Sequence, residues 1–81
     1  MSAILLAAAL VGTLAGVDGA VIELHSDNGV CVADARRAVF AHKSGNIGGC
    51  WKVVAQSVVL VFFDGDYALA PLSSVKLPTG S

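Results

Sequence analysis

The sequence predicts an all-β domain: a small, five-stranded antiparallel barrel or meander, held by one disulfide and preceded by an apolar N-terminal leader helix. Three observations carry that expectation. Turn-forming clusters recur from Ser26 onward at roughly the 8–12-residue spacing of short-strand folds. The stretch from Gly48 to Leu72 reads as three consecutive antiparallel strands, and it holds the only Trp, the only Tyr and two of the three Phe. The chain is short, and its two cysteines offer one covalent staple.

With 81 residues there is room for a single small domain. Charged residues make up 14% and apolar residues 56%, which excludes a disordered chain. The formal net charge is -1, and of five basic residues only Arg36 and Arg37 are adjacent, so no nucleic-acid partner is expected.

The apolar excess is concentrated at the start. No charged side chain occurs from Met1 to Val17, and Asp18 is the first. The run from Ala3 to Leu14 suits the apolar core of a secretory signal, roughly 7–15 residues. It falls short of the ~20 needed to cross a bilayer as a helix. Cleavage after Ala15 or Gly16 satisfies the small-residue rule better than cleavage after Ala20, which would leave Asp18 close to the cut. Residues 1–19 therefore read first as a signal peptide, second as an N-terminal membrane anchor, and third as a buried element of the fold. Residues 20–81 read as the β-domain.

Once such a leader is removed, about 60–65 residues remain, a size at which a hydrophobic core alone is marginal. An even cysteine count in a short exported chain then reads as a disulfide, Cys31 to Cys50.

Ala20–His25 is the first strand, with Ile22 and Leu24 on one face and Val21, Glu23 and His25 on the other. Ser26-Asp27-Asn28-Gly29 is a dense turn signal. Val30–Val32 is a short extended piece. Asp34 could cap one helical turn over Ala35–Ala38, but strand is preferred for Arg36–His42. A turn at Lys43–Asn46 leads through Ile47-Gly48-Gly49 to a strand over Cys50–Ala55, and the two glycines suggest a bulge or a close backbone approach. Gln56-Ser57 is a tight connection. Val58–Phe63 is apolar on both faces, as a central strand is. Asp64-Gly65 is the signal of a two-residue type I′ hairpin, and Asp66–Ala70 returns antiparallel. Pro71–Ser74 breaks the ladder as one 3₁₀ turn before Val75–Leu77 closes the sheet. The rhythm is that of SH3-like barrels, an analogy of fold that carries no function.

Catalytic and metal chemistry find little support in these residues. His25-Ser26-Asp27 contains the types of a hydrolase triad, but neighbours on a strand or turn point apart. His25, Cys31, His42 and Cys50 lack zinc-ligand spacing. Asp64, Gly65 and Asp66 offer too few oxygens for calcium and read as a structural turn. No catalytic residue, metal ligand or cofactor is expected. Phe40, Trp51 and Tyr67 are the candidate binding surface, weighed against the plainer reading that Trp51 caps a small core.

Cys31 ahead of Arg36-Arg37-Ala38-Val39-Phe40, Gly49-Cys50-Trp51, Val61-Phe62-Phe63-Asp64-Gly65-Asp66 and Pro71-Leu72 together resemble a group of small exported proteins encoded by bacteriophages and proteobacteria. The resemblance covers most of the body. It implies an exported phage or bacterial envelope protein and transfers no catalytic residue. This chain departs from the group in having no Lys or Arg before its apolar run.

The expected function is therefore non-enzymatic: a periplasmic or secreted domain that binds a protein or an envelope component, touching membrane only through its leader. The alternative is a virion structural or decoration component with an ordered apolar N-terminus. If the Val58–Phe63 strand is left uncovered within one chain, a second copy becomes a further partner.

Overall fold

The computed structural model describes residues 9–32 and 34–78. Six strands, all antiparallel to their neighbours, follow one another as a meander: β1 Leu10–Ala15, β2 Val21–His25, β3 Arg36–His42, β4 Gly45–Val54, β5 Ser57–Phe62 and β6 Tyr67–Pro71. The sheet curls into a half-barrel. Leu72–Ser74 is a single 3₁₀ turn, and Val17–Gly19 is a tight turn in which Asp18 (φ +54°) and Gly19 (φ +80°) are left-handed; no longer helix occurs among the described residues. The all-β expectation and the Cys31–Cys50 disulfide hold, with S–S 2.07 Å and Cα–Cα 5.8 Å.

Two expectations are corrected. There are six strands rather than five, and the extra one lies where a leader helix was expected. Leu10–Ala15 pairs with β2, and Leu14 enters the core. A uniformly apolar run has no period, so sequence alone does not separate a helix from a strand buried on both faces. What selects the strand is tertiary. A Cβ on Gly12 would sit 2.5 Å from Val75 Cγ1, so β1 passes close under the chain that follows β6. There Thr13 and Lys76 exchange both backbone hydrogen bonds, 2.8 and 2.9 Å, and curl the C-terminal segment back onto β1. Lys76 forms this isolated bridge and no closing strand over Val75–Leu77. Residues 1–8, the first part of the expected leader, lie outside the described residues, as do residues 79–81 at the end of the tail.

The hairpin after β5 also differs. Asp64 keeps negative φ, and only Gly65, at φ +99°, is left-handed. The connection is a three-residue loop, Phe63–Gly65, closed by Phe62 N–H donating to the Asp66 carbonyl at 2.7 Å. Phe63 leaves β6 but stays with β4, its N–H donating to the Gly48 carbonyl at 2.9 Å.

The concave face of the sheet gathers the core: Leu14, Ile22, Leu24, Ala38, Trp51, Val58, Leu60 and Phe62. Gly49 is needed beneath β5, since a Cβ there would meet the Val61 carbonyl oxygen at 2.5 Å and Phe62 Cα at 2.9 Å. The glycine pair thus serves a close backbone approach inside a strand.

The segment between β2 and β3 is tied down by polar groups. Arg37 Nε donates to both Asp27 carboxylate oxygens at 2.9 and 3.2 Å, and Asn28 Nδ2 donates to the carbonyls of Val32 and Ala35 at 2.7 and 2.6 Å. The Arg37 hydrogen bond holds the Asp27 carboxyl below its ordinary value of 3.8. Asp27 therefore binds its proton more readily in the unfolded chain. Its contribution is complete above about pH 4 and is lost as the pH falls through the lower folded value. In urea titrations at a series of pH values, Asp27→Asn should flatten the acid-side decline in the midpoint seen for the wild type. Parallel declines in the two proteins would contradict this assignment.

Candidate functional site

The outer, convex face of the sheet is where chemistry and burial part company. β5 alternates strictly, sending Val58, Leu60 and Phe62 into the core and Val59 and Val61 outward, and Phe63 continues the outward row. Register lines these up with β4 on one side and β6 on the other. Val61 lies between Cys50 and Tyr67, and Val59 lies between Lys52 and Leu69. The Phe63 ring covers Gly48, with ring carbons 3.2 and 3.3 Å from the place a Cβ would take.

The disulfide adds a third row. It pins the Val30–Val32 loop against β4, so that Val30 is 86% and Val32 71% exposed although both are apolar. Between this loop and the outward row of β5 runs a groove of about 390 Å³, walled by Val30, Val32, the disulfide, Val59 and Val61. Phe63 is 62%, Tyr67 76% and Leu69 68% exposed, so the apolar surface continues past the groove to the edge of the sheet. Lys52 is the one charged residue lining the groove, and its ammonium lies 3.2 Å from the Asp34 carboxylate. A contiguous apolar patch rimmed by polar residues often marks an interaction surface.

The three aromatics singled out from the sequence do not form one patch. Trp51 points inward from β4, is 9% exposed, and donates its indole N–H to the His25 carbonyl at 3.0 Å. That is a core position with its polar atom satisfied. Phe40 and Tyr67 line a separate cleft at the seam between the end of β1 and the start of β6, and Asp64 and Asp66 line the same cleft. Gly65 completes the loop between them, where Asp64 Oδ1 accepts the Asp66 backbone N–H at 3.0 Å. The residues missed by sequence reasoning are Val30, Val32 and Leu69. Their signal was present in part: a β5 strand apolar on both faces demands cover on both sides.

Both histidines are occupied locally. His25 Nε2 lies 3.0 Å from Glu23 on the same strand face. His42 Nδ1 lies 2.8 Å from Ser44 Oγ, accepts the Ser44 backbone N–H at 3.2 Å, and has Nε2 3.2 Å from the Asp18 carbonyl. An imidazole held between a turn hydroxyl and a backbone carbonyl caps the β3–β4 turn. Cys31 and Cys50 spend both sulfurs on the disulfide, which removes two of the four residues weighed as zinc ligands.

The fold and this surface define a class: a small, disulfide-bonded antiparallel β-domain with an uncovered apolar face. Comparison with protein-family models, with curated proteins and with solved structures finds no match for this chain.

Proposed function

We propose that this chain is a non-enzymatic binding domain of an oxidising compartment, the bacterial periplasm or the exterior, whose convex apolar face docks onto a protein of the cell envelope. The observation that carries the reading is the uncovered surface running from Val30 and Val32 across the groove to Val61, Phe63 and Leu69. Burying apolar area is the main source of protein association energy, and a mostly apolar groove pinned by the disulfide, its single Lys52 already paired with Asp34, supplies it at low ordering cost on this side. The resemblance to small exported phage and proteobacterial proteins supports a phage or prophage origin, and no cofactor is needed. In this reading export leaves β1 in place, because a cut after Ala15 or Gly16 would take Leu14 out of the core. A second reading, a virion structural or decoration component, is favoured by that same integration of the apolar N-terminus into the sheet.

Val61→Lys tests the proposal. Val61 faces solvent, so stability should change by less than about 0.5 kcal/mol. In gently prepared native extracts the wild-type chain should migrate with a partner as a larger species and carry no free thiol before reduction. Val61→Lys should migrate as the free chain with an unchanged melting temperature. A wild-type chain that is free, reduced and cytoplasmic overturns the reading.

A further inference from the structure

The seam cleft is a second concavity with a different chemistry. Among the described residues the half-barrel closes at one end, through the Thr13–Lys76 bridge. Toward Ala15 and Tyr67, β1 and β6 are not paired with each other, and a cleft of about 440 Å³ opens between them. Its floor is Phe40, Ile47 and Phe62, with Phe40 and Phe62 edge to face at 6.0 Å. Its walls are small, Ala15, Gly16 and Ala68, which leaves room for a large apolar side chain from outside. β6 is the last strand of the sheet and its described ladder runs to β5 alone, so its other edge presents backbone donors and acceptors. At the mouth stand two exposed carboxylates, Asp64 and Asp66. Neither enters an ion pair among the described residues, and Tyr67 stands exposed beside them.

We propose that this seam binds an extended peptide segment of a partner protein. The segment adds as a strand to the free edge of β6, places one apolar side chain in the cleft, and sets a Lys or Arg against Asp64 and Asp66. Each part of the site reads one feature of such a segment. The free edge supplies ladder hydrogen bonds, which give affinity without sequence preference, and the pocket reads alternate side chains. The two carboxylates select positive charge, and the Tyr67 ring offers a face for a guanidinium. A nucleic acid would be repelled by the same carboxylates, and a small apolar molecule would leave both the edge and the acids unused. The seam shares Tyr67 and the β6 edge with the rim of the convex surface, but none of the residues that line the Val30–Val61 groove, so the two proposals are separated by whether shifts reach that groove.

The test is a titration of ¹⁵N-labelled full chain with a blocked synthetic peptide, acetyl-Thr-Val-Thr-Leu-Arg-Val-Thr-amide, followed by NMR. The expected result is saturable shifts confined to Ala15–Val17, Phe40 and Asp64–Ala70. Replacing the peptide Arg by Glu should weaken binding by about tenfold, the effect of two exposed charge pairs turned from attraction to repulsion. Asp64→Asn with Asp66→Asn should erase the difference between the Arg and Glu peptides. The loop should survive the change, because the carboxamide introduced at position 64 keeps an oxygen to accept the backbone N–H of position 66. N-methylation of alternate peptide nitrogens should abolish binding. Shifts that map to the convex groove, equal affinity for the Arg and Glu peptides, full binding by the N-methylated peptide, or no saturable shift at all would each overturn the proposal.

Discussion

A chain shortened to begin at Gly16 should lose its cooperative unfolding transition and its near-ultraviolet Trp signal, while the full chain keeps both. β1 contributes more than one buried side chain. It carries Leu14 into the core, covers the edge of β2 along its length, and supplies Thr13, to which Lys76 anchors the segment after β6. Fully burying a leucine contributes about 1.5–3 kcal/mol before ladder and bridge are counted. A domain of this length holds only ~4–12 kcal/mol in total. Removing the strand also bares Ile22 and Leu24 from one side, and β2 carries the His25 carbonyl that receives the Trp51 indole N–H at 3.0 Å. Urea titration followed by Trp fluorescence and near-ultraviolet circular dichroism is the measurement. A sharp transition of the shortened chain at the wild-type midpoint would show β1 to be dispensable.

Opening the disulfide should have the second largest effect, and it should separate stability from binding. Cys31 and Cys50 are 19 residues apart, and closing a loop of that size stabilises by about 3 kcal/mol in the chain-entropy model. With a urea slope near 1 kcal/mol/M for so small a domain, Cys31→Ala with Cys50→Ala should lower the midpoint by roughly 3 M. The core lies on the other face of the sheet, so the variant should still fold in the absence of urea. What it loses is the clamp on Val30–Val32, and with it one wall of the convex groove. Binding through that face should therefore fall even in the folded fraction. A variant with reduced stability and full binding would remove the loop from the interface.

The parts of the fold legible in the sequence are those where two independent signals agree. Arg36–His42 is bracketed by an Asn-Gly-rich turn and by Lys43–Asn46, and the strand occupies those residues. Pro71–Ser74 combines a residue without an N–H with small polar neighbours, and a 3₁₀ turn follows at Leu72–Ser74. The failures have physical causes. The Ala3–Leu14 run carries no charge and only one polar side chain, Thr13, so it shows neither a helical nor a strand period, and its pairing with β2 and its contacts with Val75 and Lys76 decide. Ile47-Gly48-Gly49 reads as a lead-in to the strand because glycine is poor in strands, yet β4 runs through it, and at Gly49 β5 comes too close for any larger residue. Asp64-Gly65 promised a two-residue turn, and Phe63 lengthened it by staying over Gly48. The SH3-like analogy groups Phe40, Trp51 and Tyr67 as one aromatic patch. Alternation along β4 sends Trp51 inward, whereas β3 and β6 bring Phe40 and Tyr67 to the seam. The apolar outer row of β5 was the best sequence clue to a binding face, and its extension by Val30 and Val32 depends on the disulfide, which no local pattern encodes.

Photo-crosslinking in living cells tests most directly whether the convex face is an interface. A benzophenone amino acid placed at Phe63 projects from the exposed outer row, and the same group at Lys43 sits on the exposed β3–β4 turn, outside the groove. The account predicts a discrete protein adduct from position 63 on irradiation, lost when Val61→Lys is added, and none from position 43. No adduct from position 63, or the same adduct from both positions, would contradict it.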